Sequence, residues 1–377
     1  RATHRYLGRS LVRMTQALVI NCSAGYSCGG VQFTRSTEGS RLVDCHIQGC
    51  HTMDAWANGQ AGGLELFYGG SLTMIGGSIT GCRASDLCGG VWVRAYATLS
   101  LIDVLVADCH SNAKTGGGGG ISVSGDATLI MSGGAIRDCH ALNGGNGGGL
   151  NVEGEVQLSG TTVQGCTAST ANGGGMWFSG AQAQLNEVTV QGCAATHGGG
   201  MHIDTSYVLL VDVSFEDCQA GFQGGAISQR VASSMLHANR VRVARCDSFG
   251  QKDAGGMSSS GGAIELSGSS TWIDSIISDC ASGRDVVNIN DGTHTFTRVA
   301  ILRCHATLFH GGGLRVSSGT VMLLDSRIAD SSSVDRGGCV YASADGNVDG
   351  NVDGKVNAQA GALVLRNTTL SNCSAPE

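Results

Sequence analysis

Cysteine returns through this chain at a nearly constant interval, and this spacing limits the folds that the chain can adopt. Twelve of the 16 cysteines share one context, with an aliphatic or aromatic residue three positions earlier, and a thirteenth copy has Ser in place of Cys. Successive copies lie about 27 residues apart, with insertions in a few of them. An internal repeat of this length over the whole chain is typical of a solenoid. The anchor positions are Cys22, Cys50, Cys82, Cys109, Cys139, Cys166, Cys193, Cys218, Cys246, Cys280, Cys304, Ser331 and Cys373.

Each repeat also carries short stretches of alternating hydrophobic residues, which predict β-strands. Val156 and Leu158 alternate in this way before an anchor, and Met201 and Ile203 do so directly after a run of glycines. Three such stretches fit into one repeat, and they are too short to bury a hydrophobic face unless the repeats stack. The sequence therefore predicts one all-β domain over residues 1–377, with an insertion at about 342–358. Its fold is a right-handed parallel β-helix of about 13 coils with three short strands per coil.

Composition excludes several other classes of protein. The chain has 61 glycines but one proline, and charged residues make up 14%. These values do not fit collagen, a helical bundle or a disordered tail. A net charge of −7 without a basic block argues against a nucleic-acid partner. No apolar run approaches the ~20 residues of a membrane span, so no membrane span is expected.

Two motifs connect this repeat with a known family. Gly224-Gly225-Ala226-Ile227 and Gly261-Gly262-Ala263-Ile264 carry one of them, and Phe215-Glu216-Asp217-Cys218 carries the other with Cys in place of Asn. In these motifs the chain resembles the repeat family named after chlamydial polymorphic outer-membrane proteins. The resemblance implies a right-handed parallel β-helix of the pectin-lyase-like type, in surface-exposed or secreted proteins and adhesins. It is specific for fold and does not imply an activity.

The cysteines are the strongest candidates for a chemical role. One anchor per coil predicts a ladder of reduced, buried thiols, because stacked side chains point in parallel and not at each other. Two further pairs with the same spacing, Cys22 with Cys28 and Cys82 with Cys88, each end before Gly-Gly-Val. They predict either two corner disulfides or a second, shorter stack of Cys28 and Cys88. Cys45 is expected to pack inside, and the absence of Cys-x-x-Cys argues against zinc.

Two further patterns suggest ligand or modification sites. Asn21, Asn367 and Asn372 head formal N-glycosylation sequences. Asp345, Asp349 and Asp353 lie four residues apart in a Gly-rich insertion and could collect oxygen ligands for Ca²⁺. This insertion lacks the spacing of an EF-hand loop, so a solvated low-complexity loop is the favoured interpretation and no cofactor is expected.

Polysaccharide-cleaving β-helices need clustered acids on the outer face of adjacent coils. The outward row after the glycine corners has no acids on neighbouring coils, so no enzyme is predicted. Trp92, Trp177 and His202 in this row are predicted to form a contact surface. His51, His110, His140 and His305, which follow anchors, are interpreted as solvated corner residues. The row reads Gln32, Glu65, Trp92, Ser122, Asn151, Trp177, His202, Ser228, Glu265, Arg315 and Tyr341.

Together these patterns predict a non-catalytic structural or adhesive rod in an extracellular or cell-surface assembly, such as a filament or surface hair. The chain begins at Arg1 and shows no polar caps, so we expect a segment of a longer chain that stacks end to end on itself or on neighbouring fibre subunits. Glycans are a further expected partner. The alternatives are an extracellular carbohydrate-binding or polysaccharide-cleaving module, and an intracellular scaffold in which every thiol is free.

Overall fold

The chain forms two compact units, Arg1–Ala195 and Thr196–Glu377. The computed structural model describes residues 11–25, 27–53, 60–114, 116–248, 262–308, 310–342 and 361–375. Within these ranges both units consist of β-strands, with no helix. Each strand pairs in parallel with its copy one repeat later, so that Leu101, for example, is in register with Met131. Each unit is therefore a parallel β-solenoid, as the sequence predicted.

The strands of the first unit belong to four sheets, named I to IV in the order in which the chain passes through them within one coil. Sheet I contains Val31–Thr34, Leu64–Phe67, Val91–Val93, Ile121–Val123, Leu150–Val152 and Met176–Ser179. Sheet II contains Arg13–Thr15, Arg41–Val43, Ser71–Ile75, Thr98–Ile102, Thr128–Ser132, Glu155–Ser159 and Gln182–Asn186. Sheet III contains Leu18–Ile20, His46–Gln48, Ser78–Thr80, Leu105–Ala107, Ala135–Arg137, Thr162–Gln164 and Thr189–Gln191. Sheet IV contains Ser23–Ala24, His51–Thr52, Arg83–Ala84, His110–Ser111, His140–Ala141, Thr167–Asn172 and Ala194–His197.

The second unit repeats the same four-sheet plan. Its sheet I contains Met201–Asp204, Ile227–Gln229, Ile264–Leu266, Val287–Ile289, Leu314–Val316 and Val340–Ala342. Sheet II contains Tyr207–Val211, Met235–Asn239, Ser269–Ile273, Thr293–Thr297, Gly319–Leu324 and Gly361–Arg366. Sheet III contains Ser214–Glu216, Arg242–Ala244, Ile276–Ser278, Ala300–Leu302, Arg327–Ala329 and Thr369–Ser371. Sheet IV contains Gln219–Gln223, Asp247–Ser248, Ala281–Ser282, His305–Ala306 and Ser332–Ser333.

The structure has four strands per coil where the sequence predicted three. The additional strand is the one in sheet IV, which follows the anchor directly and often has only two residues, as in His51–Thr52 and Arg83–Ala84. Two residues are too few to show a period-two alternation, so the hydrophobic pattern did not reveal this strand. Among the described residues sheet II has seven strands in the first unit and six in the second, so the predicted coil number is about right.

Two sharp corners enclose sheet III in every coil, and each uses one residue with left-handed backbone geometry. The residue before each anchor has positive φ, for example Gly81 at 63° and Asp108 at 54°. The residue that follows each sheet II strand also has positive φ, for example Asp103 at 54°. Gly, Asn and Asp adopt this geometry at the lowest cost, which explains why they are common here. The corner turns the anchor into the core, as predicted.

The anchor side chains form the same type of hydrogen bond, and this explains why both Cys and Ser occur at the anchor. The Sγ atoms of Cys109 and Cys139 donate at 3.2 Å to the carbonyl oxygen two residues earlier. Ser331 Oγ donates in the same way to the carbonyl oxygen of Ala329 at 3.1 Å. The anchor position therefore accepts a small side chain with one donor group, and both residue types supply it.

The interior of each unit combines stacked aliphatic residues with a column of thiols. Burial raises the pKa of the Cys304 thiol to about 12, so the thiol stays protonated at neutral pH and is a poor nucleophile. Cys45 is also buried and lies at the first corner, where its Sγ donates to the carbonyl oxygen of Val43. The buried free thiols of the ladder are Cys50, Cys82, Cys109, Cys139, Cys166, Cys193, Cys218, Cys246, Cys280 and Cys304.

Candidate functional site

The outward side chains of sheet I form an in-register column in each unit, which we call the sheet I column. Its members are Gln32, Glu65, Trp92, Ser122, Asn151 and Trp177 in the first unit, and His202, Ser228, Glu265, Asn288, Arg315 and Tyr341 in the second. The sequence predicted this row to be exposed, but most of it is buried, with Glu65 at 0% and Glu265 at 2% exposure. The column is a polar layer inside the protein.

The predicted contact surface in this column is wrong for two of its three residues. Trp92 is 7% exposed and packs against Leu87 and Cys88, and His202 is 1% exposed. Leu87 and Cys88 directly precede the glycine corner, so this part of the chain covers the outer face of sheet I where the sequence predicted solvent. Only Trp177 stays half-buried, and its contact role remains a prediction.

Glu65 is the centre of a closed hydrogen-bond network in the first unit. Its Oε2 accepts hydrogen bonds from Ser27 Oγ at 2.7 Å and Gln32 Nε2 at 2.6 Å, and its Oε1 accepts from Arg94 Nη2 at 2.8 Å. The Arg94 guanidinium also lies over the Trp92 ring, with its Cζ 4.3 Å from the ring centroid. Burying a carboxyl group is costly unless its oxygens are paired in this way. Glu65 therefore connects three successive coils.

Glu265 occupies the equivalent position in the second unit, where no side chain of the described residues forms an ion pair with it. Its Oε2 accepts a hydrogen bond from Ser228 Oγ at 3.2 Å, and its Oε1 accepts one from Asn290 Nδ2 at 2.8 Å. Burial raises the pKa of Glu265 to about 7, against the opposing effects of the Arg230 charge and the two hydrogen bonds. A carboxyl with this pKa exchanges its proton near neutral pH, which is the property of a general acid or base.

Glu265→Gln should increase stability at alkaline pH and leave it unchanged in acid. In the unfolded chain the carboxyl ionises above pH 4.5, whereas in the folded protein it ionises near 7. The raised pKa therefore makes the wild type lose stability as pH rises through this window. We expect the variant to gain about 3 kcal/mol over the wild type at pH 8 and almost nothing at pH 4.5, as measured by urea unfolding. Equal gains at both pH values would contradict the raised pKa of Glu265. So would a similar gain from the control variant Glu153→Gln, since Glu153 is exposed.

A second buried acid lies on the same side of the second unit. Asp285 Oδ2 accepts a hydrogen bond from Arg315 Nη1 at 2.9 Å, and the Arg315 guanidinium lies 6.0 Å from the Tyr341 ring centroid. Burial raises the pKa of Asp285 to about 6, although the Arg315 charge acts in the opposite direction. Asp285 and Arg315 therefore connect two neighbouring coils.

Two columns of alternating acids and arginines follow the left-handed corners of the second unit. Arg240 donates two hydrogen bonds to Asp212, both at 2.6 Å, and Arg303 donates to Asp279 at 2.6 and 2.8 Å. The pKa values of these aspartates are lowered by the arginine hydrogen bonds. The sequence analysis missed both columns, although Asp and Arg alternate there from coil to coil. Their members are Asp212, Arg240, Asp274, Arg298 and Asp325 in one column, and Asp217, Arg245, Asp279, Arg303 and Asp330 in the other.

The three predicted glycosylation asparagines all lie at such corners. Asn21, Asn367 and Asn372 are exposed and have φ values between 51° and 54°. The Nδ2 atoms of Asn367 and Asn372 donate hydrogen bonds to Asp325 and Asp330, so both residues continue the two columns. Their side chains are accessible, and glycosylation stays a prediction.

The predicted disulfides Cys22–Cys28 and Cys82–Cys88 are not formed, and all four thiols are free. Cys82 stands at an anchor in the ladder, whereas Cys88 lies before the glycine corner and is bridged to Ala61, which is bridged in turn to Cys28. The structure therefore has the second, shorter stack that the same spacing also allowed.

One disulfide that the sequence analysis missed joins Cys339 to Cys373, with the Cα atoms 5.2 Å apart. Cys339 takes the last glycine position of its corner. In other coils an added Cβ at this position would lie beside the anchor thiol, as at Gly120, where Cys139 Sγ would be 3.1 Å away. A cysteine here therefore meets the anchor of its own coil. The available sequence signal was therefore a cysteine, Cys339, at a corner position that many other coils give to glycine.

Thiol titration should show this arrangement directly. We expect fourteen reactive thiols in denaturant without reductant, because one disulfide withdraws two of the 16 cysteines. In native buffer only about one should react, since Cys22 is the one free cysteine that is not buried. Cys339→Ser provides the control and should show fifteen thiols in denaturant, which follows from the same count. Rapid native labelling of several ladder cysteines would contradict the buried ladder.

The remaining predicted ligand site cannot be placed. Asp345, Asp349 and Asp353, and most of the insertion that contains them, lie outside the described residues. Within the described ranges, no three His, Cys, Asp or Glu side chains converge as metal ligands would. The described part of the chain also contains no helix that could cross a membrane.

Comparison with models of known protein families, with curated proteins and with solved structures yields no match for this chain. The similarity to the polymorphic outer-membrane protein repeats, and the role that it implies, therefore stay predictions from the sequence motifs.

Proposed function

We propose that this chain is a non-catalytic structural and adhesive module of an extracellular or cell-surface assembly, such as a filament or surface hair. The main support is that two of its buried acidic side chains pair with arginines of neighbouring coils. Glu65 and Asp285, which could otherwise serve as acids in catalysis, are buried and paired with arginines of neighbouring coils. Glu65 and Asp285 thus hold neighbouring coils together.

The alternating corner columns support the same proposal. Asp274 and Arg298 pair on the surface of the second unit, with a shortest distance of 2.6 Å. A single exposed ion pair contributes little, but a column in which each charge has neighbours above and below fixes the coil register. Such a surface suits a structural module that must keep one conformation.

The extracellular setting is supported by two observations. A disulfide such as that between Cys339 and Cys373 is typical of proteins in oxidising compartments. Asn21, Asn367 and Asn372 are all exposed, as acceptors of N-linked glycans must be. In an intracellular scaffold all 16 cysteines would be reduced, which gives sixteen free thiols.

The proposed partners are copies of this module or neighbouring fibre subunits that stack end to end. Parallel strands expose unpaired N–H and C=O groups at the end of a stack, and these groups pair readily with another strand. Side-chain-resolution imaging of the native material should show sheets that continue from one module into the next. Isolated modules without such contacts would contradict this part of the proposal.

An assay for polysaccharide cleavage tests the non-catalytic role against the enzymatic alternative. The full chain is incubated with neutral and acidic polysaccharides, and new reducing ends and unsaturated uronates are measured. We expect no product above the level of a heat-unfolded control. Product formation that is lost in Glu265→Gln, with the fold intact by circular dichroism, would overturn the proposal and identify Glu265 as a catalytic acid or base.

A further inference from the structure

Sheet IV of the first unit carries a partly exposed column of one arginine and three histidines that the sequence did not reveal. Arg83 is in register with His51 on one side and with His110 on the other, and His110 is in register with His140. These four residues stand one per coil, at a rise of about 4.8 Å. Because each follows an anchor, the stacking of anchors brings them together. They are therefore not the scattered corner residues that the sequence analysis expected.

A groove of about 550 Å³ lies against His51 and Arg83 of this column. Met53, which is 66% exposed, contributes an apolar side chain to it. Two glycines, Gly49 and Gly81, form the corner wall, so no side chain fills the space there. The remaining lining residues are His51, Thr52, Arg83, Ala84, Ser85 and Asn112.

Arg83 differs from most of the arginines described above. Arg240, Arg303 and Arg315 each pair with an aspartate. Arg83 is exposed and forms neither an ion pair nor a side-chain hydrogen bond with any part of the described chain. Its guanidinium keeps all of its donors, in a planar arrangement that matches carboxylate and sulfate oxygens.

His110, beside Arg83, keeps one ring nitrogen for a ligand. Its Nδ1 lies 3.0 Å from the backbone oxygen of Asp108 and therefore donates to it. Nε2 is then the acceptor nitrogen of the neutral ring and can accept a hydrogen bond from a sugar hydroxyl. Burial, the neighbouring His140 and Arg83 lower the pKa of His110. The other charged residues near these histidines in the chain are Asp86, Asp108, Lys114, Arg137 and Asp138.

We propose that this groove and column bind a linear acidic polysaccharide that runs along His51, Arg83, His110 and His140. Arg83 supplies a positive charge, and the imidazoles of the neighbouring coils supply repeated polar contacts on both sides of it, which suits an acidic polymer better than a single small anion. Because the chain has a net charge of −7, an exposed cation without an acidic partner, such as Arg83, is where a polyanion would be attracted. Met53 adds an apolar contact for the face of a sugar ring. This proposal does not depend on the structural role of the module.

Calorimetric titration of the full chain with defined oligosaccharides tests the proposal. Heparin-derived and polygalacturonate-derived oligosaccharides represent the sulfated and carboxylated sources of the same chemistry, and dextran-derived oligosaccharides provide a neutral control. At least one acidic ligand should bind, the neutral ligand should not, and affinity should fall as salt is added. Equal binding of the neutral ligand, absence of binding by both acidic ligands, or equally tight binding of polyglutamate would overturn the proposal.

Three variants locate the site. Arg83→Gln should weaken binding at least tenfold, while Arg41→Gln, an exposed arginine on sheet II of the same unit, should leave it unchanged. The double variant His110→Gln/His140→Gln should also weaken binding of long acidic oligosaccharides, because it removes the two imidazoles that continue the column beyond Arg83. Unchanged affinity in folded Arg83→Gln would overturn the assignment.

Discussion

Replacing Leu158 with Asp is expected to unfold the first unit. Leu158 is 2% exposed and lies in sheet II in register with Met131 and Leu185, both of which point into the core. An aspartate at this position would bury a carboxylate without a partner, because its neighbours above and below are apolar. We expect a loss of more than about 5 kcal/mol, which is enough to unfold a typical domain. Circular dichroism of the β-sheet signal and urea titration measure the loss.

The adjacent residue provides the matched control. Ser159 is the next residue in the same strand, points outward and is exposed, so Ser159→Asp should change stability by no more than about 0.5 kcal/mol. The two variants add the same charge at neighbouring positions and differ only in the face of the sheet. A stable, folded Leu158→Asp protein would show that the proposed register is wrong.

The stacking of coils was predictable because it depends on local chemistry that recurs. A left-handed corner favours Gly, Asn or Asp, which adopt positive φ at low cost, and an anchor requires a small donor side chain, so residues such as Gly81 and Cys82 repeat at a fixed spacing. The alternation before each anchor indicates which side chains face inward. Most strands of sheet IV lacked such a signal because they have only two residues, which cannot alternate.

The environment of the outward side chains could not be predicted in the same way. Whether Trp92 or His202 is exposed depends on how the segment before each glycine corner folds over sheet I, and that segment varies in length and composition from coil to coil. Period-two alternation distinguishes two faces of a strand but does not indicate whether the outer face meets solvent. Glu65 was therefore placed on the surface, although it is at the centre of a buried network.

Contacts between coils depend on residues about 27 positions apart, and this explains the other differences. The columns of Asp212 with Arg240 and of His110 with His140 become visible only when the repeats are aligned by their corners instead of being examined one at a time. The Cys339–Cys373 bond required one further step, the recognition that a corner glycine lies beside the anchor of its own coil. Alignment by structural position would have shown all three.

Gly119→Ala should destabilise the first unit strongly, although it adds only one methyl group. A Cβ at Gly119 would lie 2.5 Å from the backbone N of His140 and would also meet the carbonyl oxygen of Gly148, and backbone atoms cannot move without opening the coil. We expect a cost of about 3 kcal/mol, measured by urea unfolding. Gly25 is the control, since a Cβ there has no atom within 4 Å and its φ is not positive, so Gly25→Ala should be nearly neutral. Replacing Gly by Ala also reduces the freedom of the unfolded backbone, and this effect is small and similar at both positions. Equal stability of the two variants would therefore show that successive coils do not approach each other closely at the glycine corners.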